Sequence, residues 1–90
     1  MLITWDDRKN EANHKKHGVW FEEAGSVLTN AQTLSNSNAH PSANRFEYLG
    51  YSSQARLLYV VTVEKADDEI RIISARKATM NERKRYEEGI

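Results

Sequence analysis

Six cationic side chains, Arg71, Arg76, Lys77, Arg83, Lys84 and Arg85, crowd the last third of this 90-residue chain, with Glu82 the one acid among them. Further back stand His17, His40, Arg45 and Arg56, and Tyr86 closes the run. These residue types can cleave a ribose-phosphate chain without a metal. The ribose supplies its own 2′-hydroxyl as nucleophile. The protein must hold it in line, accept its proton, return a proton to the leaving oxygen and neutralise the charge that builds on phosphorus. Composition alone does not select among the candidates. The same arginines also have a plainer use, since Arg71 and Arg76 can pair with Glu47, Glu64 or Glu69 across a sheet, where exposed pairs contribute about 0–1 kcal/mol.

Other chemistries find little support. His14 and His17 share a helix face, but no acid stands beside them in a zinc-binding spacing. No phosphate-cradling glycine loop is present, and no serine sits in a nucleophile elbow. There is no cysteine to staple the fold or bind metal, which is compatible with a reducing cytoplasm. No apolar run approaches the roughly 20 residues that span a bilayer. The formal net charge is zero, which argues against indiscriminate nucleic-acid binding, yet acids and bases are segregated enough to give one positive face. A soluble, intracellular protein with no cofactor and no membrane contact is expected.

The elements that must position these groups are legible in outline. Length implies one domain over 1–90 with a thin core. Leu2 to Trp5 suits a short strand or lead-in. Asp6 is a good N-cap for a helix to about His17, and Gly18 suits its left-handed stop. That helix is very polar. It either lies on the surface with Trp5 as anchor, or hydrogen-bonds to something through the stripe of Lys9, Asn13 and Lys16. Lys15, Lys16 and His17 form a basic knuckle before Gly18, able to touch phosphate or simply to make a corner.

A second helix should span about Phe21 to Thr29, its apolar stripe being Phe21, Ala24, Val27 and Leu28. A short strand near Gln32 to Ser35 precedes a loose, loop-like stretch to Asn44. The period then changes to two. Arg45 to Ser52 and Arg56 to Glu64 form strands, the latter central. Ala66-Asp67-Asp68 closes a hairpin into a strand over Glu69 to Ala75, where alternation sets Ile70, Ile72 and Ser74 against Arg71, Ile73 and Ala75. Thr79 to Glu82 is a capping box that opens a last helix through about Glu88, with Arg83–Glu87 and Lys84–Glu88 spaced to pair. The fold class is α+β: an antiparallel sheet of three to four strands, two N-terminal helices and one C-terminal helix.

Trp5-Asp6, Lys9, Asn13, Lys16-His17-Gly18-Val19 and Phe21-Glu22-Glu23-Ala24 together resemble the opening of BrnT-type toxins of bacterial type II toxin–antitoxin modules. Arg56-Leu57-Leu58, Ile70 to Ala78 and Glu82 to Glu87 are similar to the closing half. The likeness spans nearly the whole chain. The middle departs: Asn30-Ala31 replaces the usual Asp-Pro, Pro41 follows His40, and Ala43-Asn44 stands where consecutive glutamates precede Arg45.

The resemblance implies a RelE-like fold and a metal-independent ribonuclease that arrests translation. A co-expressed ribbon-helix-helix antitoxin would neutralise it in a hetero-oligomer and would alone contact operator DNA. Carried over to matching positions, Arg45, Arg56 and Arg76 would contact phosphate and the transition state. His17 or His40 would move protons, and Tyr86 would stack on or orient a base. Lys9, Lys16, Arg71, Lys77 and Arg83 would bind RNA. The alternative is an attenuated or non-catalytic module that grips the antitoxin and contributes to operon autoregulation.

Overall fold

The computed structural model describes residues 1–36, 44–65 and 68–89. In chain order these form β1 (Leu2–Thr4), α1 (Asp7–His17), α2 (Phe21–Leu28), β2 (Leu34–Asn36), β3 (Arg45–Tyr51), β4 (Leu57–Lys65), β5 (Glu69–Lys77) and α3 (Met80–Glu88). The sheet has five strands in the order β1-β5-β4-β3-β2. The α+β class and three helices match expectation, whereas the sheet is larger than expected and mixed. β2 to β5 pair antiparallel, but β1 runs parallel to β5, with Leu2 opposite Glu69 and Thr4 opposite Arg71. A three-residue strand has no period to read. What fixes it is the free edge of β5, where the Leu2 N–H donates to Asp68 O at 3.0 Å and the N-terminal ammonium lies 3.2 Å from the Asp68 carboxylate.

The helix boundaries follow from their caps. The Asp6 carboxylate accepts the N–H groups of Arg8 and Lys9 at 2.8 and 3.2 Å, and these bonds hold it below its usual carboxylate range. Gly18, at φ 73°, ends α1 by donating its N–H to His14 O at 2.8 Å. Thr79 and Glu82 make the expected capping box on α3.

Val19, Phe21, Ala24 and Val27 are fully buried and pack from the helix layer onto Leu58, Val60, Ile72 and Ala75 of the sheet. Burying one large aliphatic or aromatic side chain contributes about 1.5–3 kcal/mol, so this small cluster supplies most of what holds the layers together.

α1 contributes no apolar residue to that cluster. It docks through two buried amides. Asn13 Nδ2 donates to Val19 O at 2.9 Å and to Ala75 O at 2.8 Å, while its Oδ1 accepts the Ala75 N–H at 3.1 Å. Asn10 Oδ1 accepts the Phe21 N–H at 2.7 Å, and its Nδ2 donates to Glu22 at 2.8 Å. Trp5 adds an edge-to-face contact with Phe21, ring centroids 6.3 Å apart.

One irregularity decides what each face of the sheet carries. Val61 pairs with Ser74 but Thr62 pairs with Ile72, so Ile73 has no cross-strand partner and β5 bulges there. An extra residue reverses the alternation downstream. Ala75 therefore joins Ile72 in the core, rather than opposing it as strict alternation predicts, and Arg76 joins Arg71 on the other face.

Candidate active site

The face turned away from α1 and α2 is built in cross-strand rows. Arg45, Val63 and Arg71 form one row; Glu47, Val61 and Ser74 the next; Leu49, Tyr59 and Arg76 the third; and Tyr51 with Leu57 the last. Cross-strand partners share a face and residues two apart on a regular strand stay on it.

Arg76 is firmly fixed. Its Nη1 and Nη2 donate to the two carboxylate oxygens of Glu82 at 2.8 and 2.9 Å, and Nη1 also donates to Lys77 O at 3.2 Å. Its guanidinium carbon lies 4.3 Å from the centroid of the Tyr59 ring. A planar cation held by a two-point fork and an aromatic face has lost most of its rotamer freedom before any ligand arrives. The pairing pushes Arg76 further up and holds Glu82 below the usual carboxylate range. Burial first, and the Glu47 carboxylate second, raise the Tyr59 hydroxyl above the usual phenol range, so at neutral pH it is a proton donor. An open groove of about 290 Å³ lies alongside, lined by Leu34, Glu47, Leu49, Tyr59 and Arg85 among others.

The expected site residues divide. Arg45, Arg71 and Arg76 share the face turned away from α1 and α2, which α3 overlies at its Tyr51 end. Arg71 Nη2 stands 3.7 Å from Glu69, and its buried Nε has no hydrogen-bond partner among the described residues. Tyr86, on α3, meets Tyr51 edge to face with centroids 5.4 Å apart. Arg83 donates to the Tyr51 hydroxyl at 3.3 Å rather than pairing with Glu87.

Arg56 does not reach this face. Its Nε donates to Glu23 Oε2 at 2.9 Å and its Nη2 to Glu23 Oε1, while Nη2 also reaches Gly18 O at 3.2 Å. Ser52 Oγ donates to the same carboxylate at 2.6 Å. Glu23 is a buried acid held charged, below its usual range, chiefly by Arg56. The pair bolts the start of β4 to the α1–α2 corner.

Lys9 and Lys16 are exposed on α1 and His17 half-buried at its end, in the helix layer on the opposite side of the sheet from Arg76. Lys77 lies exposed at the end of β5. His40 lies outside the described residues. Among the described residues no group of three or more His, Asp or Glu side chains is gathered to hold a metal ion, and no helix is long and apolar enough to cross a membrane.

Three residues at this face were not among the expected site residues: Glu47, Tyr59 and Glu82, the last read only as part of a capping box. The first two were detectable, because alternation alone places Glu47 on the same strand face as Arg45, and Tyr59 on the same face as Val61 and Val63.

A helix pair on one side of a small mixed sheet is a fold that a known ribonuclease toxin shares. The crystal structure of the Brucella abortus ribonuclease toxin BrnT is similar in fold, with a TM-score of 0.70 and 23% sequence identity over 89% of this chain and 99% of that one. No curated protein matches the chain. The family model of BrnT, the ribonuclease toxin of a type II toxin–antitoxin system, matches residues 5–82, and the chain belongs to that family. Membership brings with it a cognate antitoxin as partner.

Proposed function

We propose that this toxin is an endoribonuclease that cuts RNA at the sheet face turned away from α1 and α2 without a metal ion and thereby stops translation. The carrying observation is Arg76, fixed by Glu82 and Tyr59 on the face it shares with Arg45 and Arg71. Its Nε hydrogen is not used by Glu82 and is available to a phosphoryl oxygen. Arg45 and Arg71 neutralise the charge that develops on phosphorus. The ribose 2′-oxygen attacks phosphorus, the bond to the 5′-oxygen breaks, and a 2′,3′-cyclic phosphate and a 5′-hydroxyl result. In this reading Glu47 accepts the 2′-hydroxyl proton and Tyr59 donates one to the leaving oxygen. Tyr86 and the Arg85-lined groove orient the flanking base. In this role His17 is dispensable.

The toxin acts in the cytoplasm. A ribbon-helix-helix antitoxin covers the face in a hetero-oligomer and carries the operator-DNA contacts. Arg76→Ala should abolish growth inhibition and cleavage of messenger RNA, with circular dichroism and antitoxin binding retained. Wild-type toxicity from that variant removes Arg76 from the site.

A second reading, a non-catalytic module that binds antitoxin and supports autoregulation, is favoured by one feature. Arg56, Arg71 and Arg76 each already face a carboxylate, namely Glu23, Glu69 and Glu82. Incubating the purified chain with messenger RNA separates the two. Cleavage that persists in chelator supports the enzyme; intact RNA under all conditions supports the module.

A further inference from the structure

Where β3 and β5 end and β4 begins, the chain leaves an open cleft of about 420 Å³ lined by Tyr51, Arg56, Leu57, Lys77, Arg83 and two alanines. Three of its lining side chains are cationic and none is acidic. Arg83 and Lys77 take part in no ion pair among the described residues, and Arg83 is held only by the Tyr51 hydroxyl. Arg56 is the fixed point. Its Nε–Nη2 edge is taken by Glu23 and Gly18, which orients the guanidinium and leaves Nη1 without a hydrogen bond among the described residues.

We infer that this cleft, which adjoins the cutting face at its Tyr51–Leu57 row, binds a backbone phosphate of the RNA strand as an anchoring subsite next to the place of cutting. The inference rests on the ribonuclease reading and adds to it. A cleft lined by three cations and no acid suits an anion that takes several separate donors. Arg56 offers Nη1, Lys77 its ammonium and Arg83 the Nε–Nη2 edge that Tyr51 leaves open, and donors on three separate side chains suit the tetrahedrally arranged oxygens of a phosphodiester better than the flat pair of a carboxylate. Arg76 and Lys77 are consecutive and emerge on opposite sides of the end of β5. A strand that crosses the sheet end therefore meets Arg76 on the cutting face and Lys77 in the cleft. The anchor fixes how far the strand runs past the fixed arginine, and so which phosphodiester is cut.

The test uses the full chain and a short, fluorescein-labelled 2′-O-methyl RNA, which has no free nucleophile and so reports binding without cleavage. Fluorescence anisotropy at several salt concentrations gives Kd and its salt slope. Lys77→Gln and Arg83→Gln should each weaken binding roughly two- to tenfold, and the double variant should lower the slope by about 0.7–1, the loss of one phosphate contact. Arg8→Gln, the same charge change on the first turn of α1, should leave the slope unchanged. Titration of the isotope-labelled chain with inorganic phosphate should move amide signals of Tyr51, Arg56 and Lys77 in preference to those of β1.

Tight RNA binding with a wild-type slope in the double variant overturns the anchor while the ribonuclease reading stands. No RNA binding by the wild type overturns the ribonuclease reading. If the cleft signals instead respond to the antitoxin and not to RNA or phosphate, the cleft is a protein-docking site and the anchor is refuted.

Discussion

Replacing Asn13 by aspartate changes one atom's chemistry and almost no volume, yet it should remove a large share of this protein's stability at neutral pH. The Asn13 amide donates to two carbonyls, Val19 O and Ala75 O, and the side chain is 8% exposed. A carboxylate there has no hydrogen to give. Two buried carbonyls lose their donor, at about 1–3 kcal/mol each, and a charge is placed against their negative ends. A loss of about 4–6 kcal/mol follows, against a total of roughly 5–13 kcal/mol expected for a domain of this size.

The pH dependence gives the sharper signature. Burial and facing carbonyls raise the pKa of the introduced carboxyl in the folded state. A raised folded pKa contributes stability below the unfolded value and loses it as pH rises through the folded one, so the variant recovers toward wild type in mild acid. Wild type goes the other way, because the folded pKa values of Glu23 and Glu82 are lowered. Their contribution is present above the ordinary glutamate range and fades as pH falls through the lowered values. Urea melts followed by tryptophan fluorescence at pH 7, pH 5 and pH 3 measure both trends, the wild-type loss falling in the last step. A variant whose midpoint equals wild type at pH 7, or falls in parallel with it in acid, refutes the docking of α1 through Asn13.

Arg56→Ala strands the Glu23 carboxylate, which is 4% exposed, and should destabilise by about 2–4 kcal/mol once the partial exposure of Arg56 is allowed for; adding Glu23→Gln should restore at least half of that in the same melts, as expected of a structural pair. Gly50→Ala should cost about 1–3 kcal/mol, since a Cβ there would stand 2.1 Å from Thr33 Oγ1 and 3.1 Å from its Cα, and a lowered thermal midpoint with retained secondary structure would register it. Glu82→Gln should fray α3 at neutral pH, because one carboxylate both caps the helix and forks Arg76, and amide exchange confined to α3 would report it.

Local signals were legible and long-range ones were not. Asp6, Gly18 and the Thr79–Glu82 box act within a turn of the residues they bond, so their meaning is written in adjacent letters. The polar stripe of α1 left open a surface helix anchored by Trp5 or one that hydrogen-bonds to something, and nothing in it tells that Asn13 bonds Ala75, 62 residues away. The double duty of Glu82 was hidden for a similar reason. Six residues from Arg76, across a strand-to-helix turn, it has no helical or strand period to announce it.

The site itself turns on a feature that periodicity misreads. Counting by twos along Ile70 to Lys77 puts Arg71 and Arg76 on opposite faces, one in water and one in the core. The unpaired Ile73 shifts the count by one, and both arginines emerge on the face shared with Arg45. The same shift sends Ala75 inward, where its backbone N–H and C=O meet the Asn13 amide. A bulge next to functional residues re-aims side chains at the expense of a ladder bond. Here the broken register is matched by a side chain that fastens α1 to the strand just beyond it. Cationic face and polar helix dock are thus two results of one inserted residue, which is why a reading that treats the strand as regular loses both at once.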